Sequence, residues 1–210
     1  MSRTRALALI PSPRAERLRS SPRHAAPVRK LHAVRQRDLA VIPRVVPIYW
    51  DPHFVQAPAD VAAFDEFLRT LFCSSWMSGL EEFGVAPAEL LPSIVPTTPR
   101  RSRMSHAQLK DQLVSWIQSG AVSPKPKKAD RSLIYLVLSP LGMELSLGAV
   151  SAPTHVSGYH DSARLEPRGD DNLRYAVVPL VSLEAEILDA HSRPVCHELA
   201  QAFIACARRS

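Results

Sequence analysis

Apolar residues recur along the chain in two patterns, and the first of them is typical of β-strands. The β-branched and aromatic run "VVPIYW" predicts a strand, and the runs "LIYLVLSP" and "RYAVVPLV" are apolar enough to be strands buried on both faces. The alternating run "MELSLGAV" is expected to pair with "LIYLVLSP". Pro43 and Pro47 interrupt the first run. Because proline cannot donate to a ladder, that strand is expected at a sheet edge or with a late entry into the sheet.

Apolar residues three or four positions apart predict helices in three other segments. The first covers residues 58–83, and its apolar stripe comprises Val61, Phe64, Leu68 and Leu71. The second covers residues 105–119 and begins with a capping box of Ser105 and Gln108. The third is the C-terminal stretch "SLEAEILDAHSRPVCHELAQAFIACARR", which is expected to be helical apart from a break near Pro194.

The order of these elements indicates the fold class. Strand, helix, helix, strand, strand, strand and helix favour a mixed β-sheet flanked by helices, in the α/β or α+β class. The two runs that are apolar on both faces are expected to be central strands, covered by the helices at 58–83 and 105–119. Residues 41–210 are therefore predicted to form a single globular domain.

The formal net charge of +6 is concentrated in the first forty residues. Residues 1–40 contain ten basic and two acidic residues, a net charge of +8, whereas the rest of the chain has sixteen basic and eighteen acidic residues, a net charge of −2. The segment has no long apolar period and cannot bury enough surface to offset the entropy of ordering, so we expect a disordered basic tail. Its arginines would make weak, nonspecific contacts with nucleic acid or other anions.

Several common functions have no signal in the sequence. Motifs of the G-x-G-x-x-G, P-loop and G-x-S-x-G types are absent, which leaves no support for nucleotide binding of those kinds or for a hydrolase nucleophile elbow. No segment approaches the roughly 20 apolar residues of a membrane span, and the run "ALALI" is too short for a signal peptide. Cys73, Cys196 and Cys206 form no C-x-x-C spacing. A soluble, cytoplasmic protein with free cysteines is the resulting expectation.

His197 and Glu198, in "CHELAQA", form the candidate catalytic motif. A zinc-binding H-E-x-x-H helix carries two histidines four residues apart on one face, and its glutamate acts as general base for metal-bound water. His197 occupies the first ligand position here, but Gln201 occupies the second, and a neutral amide is a poor zinc ligand. An ordinary histidine–glutamate pair on a packed terminal helix is the alternative that the pattern leaves open.

The order of six segments carries a resemblance to a known family. "VVPIYW", "TTPRR", "LIYLVLSPLGMEL", "GYHDS", "RYAVVPL" and "HELAQAF" resemble uncharacterised bacterial proteins that are distantly similar to the plant phosphate-induced, or exordium-like, proteins. The resemblance covers about residues 45–203, and "GYHDS", "YAVVP" and "HELAQA" are its most specific parts. In that family the last motif typically reads S-H-E-L-x-E-A. Such a helix is similar to zincin active-site helices, with a glutamate in place of the second histidine.

The resemblance implies a metal-dependent hydrolase site with zinc as cofactor. His197 would be the first ligand, Gln201 the second, and Glu198 the catalytic base or a neighbour of the ligands; His160, or Asp161 beside it, would be the third if the fold brings "GYHD" to the helix. A cysteine replaces the family's serine, a glutamine its second glutamate, and "FIACARRS" its T-D-P segment, beyond which the family continues. Catalytic zinc needs three protein ligands and an open position. The departures therefore imply a truncated and diverged relative that is inactive or incomplete.

A non-enzymatic binding module is the alternative function. In that case the mixed sheet presents an edge or groove to a partner, and "GYHD" is a structured turn. Dedicated nucleic-acid binding is less favoured, because the basic tail lacks the interleaved aromatic residues of a stacking platform.

Overall fold

A computed structural model of the protein describes residues 41–99, 101–127, 132–140, 143–146, 158–165, 173–179 and 187–207. All of these residues lie in one unit, Arg37–Ser210. The basic tail predicted at residues 1–40 lies outside the described residues.

A five-stranded mixed sheet forms the centre of this unit. The strands of the unit are β1 (Arg44–Tyr49), β2 (Glu89–Leu90), β3 (Arg103–Ser105), β4 (Leu133–Ser139), β5 (Glu144–Ser146), β6 (Tyr159–Ala163) and β7 (Leu173–Pro179). Five of them form the sheet in the order β2-β1-β4-β7-β6, and β3 pairs with β5 in a separate two-stranded sheet. The pairs within the large sheet are parallel except for β6, which is antiparallel to β7.

Helices cover both faces of the large sheet, which confirms the predicted fold class. They are α1 (Pro52–Gln56), α2 (Pro58–Phe72), α3 (Ser75–Ser78), α4 (His106–Ser119) and α5 (Ile187–Ala207), with a 3-10 turn at Glu81–Phe83. One core layer packs α2 and α5 against the sheet, and the other packs α4 against the opposite face. Among the described residues, no helix is long and apolar enough to cross a membrane.

β4 and β7 are interior strands, as predicted from their apolar runs. Every residue of β4 is buried, and its side chains alternate between the two core layers: Ile134 and Leu136 lie on the α5 side, whereas Tyr135 and Val137 lie on the α4 side. A strand that is buried on both faces needs apolar residues at every position, which is why these runs read as continuous rather than alternating.

The first strand does not lie at the sheet edge, so that alternative of the prediction is wrong. β1 lies between β2 and β4. The Pro47 carbonyl accepts a hydrogen bond from the Ile94 N–H at 2.9 Å, on the β2 side. Because the N–H and C=O of one residue in a ladder point to the same neighbouring strand, the missing N–H of Pro47 also faces that side. There β2 pairs only with Arg44 and Val45 of β1, so the proline removes no bond to β4.

Two predicted helix boundaries are also wrong. The segment 58–83 is not one helix, because Ser74 ends α2 and starts α3: its hydroxyl donates to the Leu71 carbonyl at 2.7 Å and accepts from the Trp76 N–H at 3.2 Å. The break expected near Pro194 is absent, since α5 is continuous from Ile187 to Ala207. Burial of its apolar side against the sheet outweighs the hydrogen bond that one proline removes.

The expected pairing of "MELSLGAV" with the preceding strand is wrong as well. β4 already has β1 and β7 as neighbours, so no ladder position is open to β5. β5 instead pairs with β3, and an ion pair of 2.7 Å between Arg103 Nη2 and Glu144 Oε2 joins the two strands.

Candidate functional site

Strand β6 directs neighbouring residues of the "GYHD" motif to opposite faces of the sheet. His160 pairs with Ala176 of β7 and shares its face, on which α5 packs. Asp161 pairs with Tyr175, which faces α4. Successive side chains of a strand alternate between faces, so His160 and Asp161 belong to two different sites.

His160 contacts Glu198 of α5. The His160 Nδ1 and Glu198 Oε2 atoms are 3.0 Å apart, and the side chains are 37% and 8% exposed, respectively. Gly158 makes this contact possible because its backbone lies against the glutamate. A Cβ at Gly158 would lie 2.8 Å from Glu198 Cγ, and the φ of +153° is a conformation that favours glycine. The carboxylate is thus enclosed between the helix and the strand.

His197 and Gln201 lie on the exposed side of α5. Glu198 shares the buried side with Val195, Leu199 and Ala202, whereas His197 and Gln201, four positions apart, are both exposed. Neither of these two residues hydrogen-bonds to any residue that the structure describes. The structure therefore brings His160 to Glu198, and it leaves His197 and Gln201 on a different side of the helix.

Within the described ranges, no group of three His, Cys, Asp or Glu residues is placed to share an ion. A catalytic zinc requires three protein ligands. Burial raises the pKa of the neighbouring Cys196 thiol, which favours the protonated thiol over the thiolate that binds metals. In the described part of the chain, Glu198 forms a histidine–carboxylate pair with His160.

A second histidine–carboxylate pair lies on the α4 side of β6, and sequence reasoning missed it. His106 Nε2 is 3.0 Å from Asp161 Oδ2 and 2.8 Å from the Tyr175 hydroxyl. The ring of Tyr159 packs edge-on against the His106 ring, with centroids 5.0 Å apart. The segment "YHDS" places polar side chains on both faces of β6, so it lacks the apolar pattern that predicts a strand.

Burial raises the pKa of both tyrosines in this second cluster. For Tyr159, burial is the largest cause and the negative charge of Asp161 adds to it. For Tyr175, burial is followed by the proximity of Tyr159 and then by the charge of Asp161 and its hydrogen bond with the Tyr175 hydroxyl. Both phenols therefore stay protonated. The Tyr159 hydroxyl is enclosed and has no hydrogen-bond partner in the described part of the chain.

The surface groove beside α4 holds none of the predicted site residues. It has a volume of about 300 Å³ and is lined by Arg101, Met104, Gln108, Asp111, Gln112 and Ser115.

The motifs behind the resemblance meet in the structure, but the comparisons with known proteins do not identify a family. The two motifs "GYHD" and "HELAQA" meet in space through His160 and Glu198. No protein-family model and no curated protein matches the chain. The resemblance to the exordium-like proteins therefore stays a prediction.

Proposed function

We propose that this protein is a diverged relative of metal-dependent hydrolases whose hydrolytic site is incomplete and which does not itself hydrolyse substrates. One observation carries the proposal: His160 and Glu198, from two of the three most specific motifs, lie 3.0 Å apart although 38 positions separate them in the chain. A contact between strand and helix at these positions is what a shared site requires.

The His160–Glu198 pair supports a ligand role for His160. A histidine that binds a metal through one ring nitrogen commonly donates the other N–H to a carboxylate, which fixes the tautomer and the ring orientation. Here Nδ1–H would donate to Glu198, and Nε2 is the nitrogen left for a ligand. Glu198 is then a positioning residue rather than the general base, because its carboxylate is enclosed and occupied.

The other two predicted zinc ligands, His197 and Gln201, support the proposal that the protein does not hydrolyse substrates. Gln201 offers one neutral oxygen where a glutamate would offer an anionic one, and a dication transferred from water needs that charge. Both Gln201 and His197 lie on the exposed side of α5, away from the buried carboxylate. No step of a hydrolytic reaction follows from these residues.

A cytoplasmic location belongs to the same proposal. Cys73 and Cys196 carry free thiols, and Cys73 is exposed. Free, exposed thiols persist in a reducing compartment, whereas an oxidising one favours disulfides. Weak contact with anions through the basic segment 1–40 is likewise proposed, from its charge alone.

Calorimetric zinc titration tests this proposal. Gln201→Glu should raise zinc affinity at least about tenfold, because a carboxylate replaces the amide, and His197→Ala should abolish whatever binding exists. Gln112→Glu, which adds the same charge on α4, is the matched control and should leave zinc binding unchanged.

Two results would contradict the proposal. A zinc titration that Gln201→Glu leaves unchanged would contradict the proposed relationship to metal-dependent hydrolases. Cleavage of a fluorogenic peptide library by the wild-type protein with added zinc, lost in Glu198→Gln, would instead show a working hydrolase.

A further inference from the structure

Arg174 of β7 is a buried cation that no described residue neutralises. The residue is 6% exposed, and its Nε atom is enclosed without a hydrogen-bond partner. Arg44 and Arg103, by contrast, pair with glutamates on neighbouring strands. Among the residues that the structure describes, no carboxylate lies within ion-pair distance of Arg174. An uncompensated buried charge is strongly unfavourable, so this arginine requires an anion.

Arg174 lies on the α5 face of the sheet, with the polar strand β6 on one side and the buried Ile134 of β4 on the other. Tyr175 faces α4, so its neighbour Arg174 faces the other side. Ser162 of β6 is directly opposite Arg174 in the ladder, where Cβ atoms are about 5 Å apart, and His160 is the diagonal neighbour at about 7 to 8 Å. A guanidinium, a hydroxyl and an imidazole therefore share one face of β6 and β7.

We propose that Arg174 binds a small oxyanion, a carboxylate or a phosphate group, with the Ser162 hydroxyl as a second donor. The planar guanidinium can donate two parallel N–H bonds to either group. β6 is the last strand in the described sheet order, and His160 on its α5 face is exposed, so the anion approaches from that side. This site goes beyond the proposed function and does not depend on it, because its donors are Arg174 and Ser162, whereas His160 contacts Glu198.

Thermal unfolding in different anions tests the site. At equal ionic strength, sodium phosphate or sodium acetate should raise the Tm of the wild-type protein above its value in sodium chloride. Ligand binding at a hundred times Kd corresponds to a shift of about 5 to 10 °C for a domain of this size. A larger shift with phosphate identifies a phosphate group as the ligand, and a larger shift with acetate identifies a carboxylate.

Variants of Arg174 give the deciding results. Arg174→Met should lose the anion-dependent shift, and in chloride alone its Tm should equal or exceed that of the wild type, because an uncompensated charge has been removed. Arg174→Lys keeps the charge without the planar fork and should bind the anion about tenfold more weakly. Arg69→Met is the control, since Arg69 is exposed and pairs with Glu66; it should retain the full shift.

Three outcomes would overturn the proposal. The first is the absence of a specific shift with phosphate or acetate in the wild type. The second is an equal shift in the wild type and Arg174→Met. The third is a clearly lower Tm of Arg174→Met in chloride, because it would show that a carboxylate of the chain itself neutralises Arg174.

Discussion

Replacing Gly158 with alanine should destabilise the domain at the point where β6 meets α5. The added Cβ would lie 2.8 Å from Glu198 Cγ and 3.1 Å from the Val177 carbonyl oxygen, and the φ of +153° strains any L side chain. The backbone strain costs about 1–3 kcal/mol. Crowding adds about 1–3 kcal/mol, since neither the carbonyl of a central strand nor the buried glutamate can move freely. We expect the free energy of unfolding to fall by about 2–6 kcal/mol.

Two other glycines separate the contributions at Gly158. Gly120 has a φ of +79° with no atom within 4 Å of the added Cβ, so Gly120→Ala reports backbone strain alone, about 1 kcal/mol. Gly79 is the control without strain, since its nearest contact is 3.4 Å, and Gly79→Ala should change stability by less than about 1 kcal/mol. Urea unfolding followed by circular dichroism measures all three. A loss for Gly158→Ala no larger than that for Gly120→Ala would refute the close approach to Glu198.

Two further predictions concern α4 and the tyrosine cluster. Ser105→Ala removes the capping box of α4, in which Ser105 and Gln108 bond reciprocally, and should lower the free energy of unfolding by about 1 kcal/mol in urea titrations. Tyr159→Phe should leave stability at pH 7 unchanged or raise it by about 1 kcal/mol, because the removed hydroxyl is buried without a partner. The pKa of Tyr159 is higher in the folded protein than in the unfolded chain. The stability that follows from this difference is fully present below about pH 10, the unfolded pKa, and is lost as the pH rises further and the phenol ionises in the unfolded chain. The decline in stability above pH 10 should therefore be shallower in Tyr159→Phe, and an unchanged decline would contradict the pKa shift.

Patterns that depend on local sequence predicted the structure well. α4 forms from its capping box and apolar stripe, and Gly120 ends it in a left-handed conformation. β4 is buried on both faces, as its uninterrupted apolar run predicts. In these segments, local preference and tertiary packing favour the same conformation.

Features that depend on distant contacts were not predictable in the same way. The local rule for proline predicted a break in α5, but packing against the sheet keeps the helix continuous through Pro194. β6 carries polar residues on both faces and so lacks the apolar signal of a strand. The partners His106 and Asp161 are 55 positions apart, so only the fold could show that they meet.

The candidate site was predictable from the sequence only in part. The sequence motifs identified His160 and Glu198 as candidate site residues, and the fold brings these two residues together. Their arrangement differs from an H-E-x-x-H site, because Glu198 is turned about 100° from His197 along the helix and faces the sheet. Burial of the glutamate therefore follows from the apolar side of α5, which the residue type alone does not reveal.

A double-mutant cycle between His160→Ala and Glu198→Ala tests most directly whether strand β6 and helix α5 form one site. The pair is 3.0 Å apart with one partner 37% exposed, so the coupling in the free energy of unfolding should be about 1 kcal/mol after screening by solvent. The matched control replaces His160→Ala with His197→Ala, whose effect should add to that of Glu198→Ala because His197 is exposed. A coupling of about 1 kcal/mol for the first pair and none for the second is the predicted result. Additive effects of His160→Ala and Glu198→Ala would contradict the shared site.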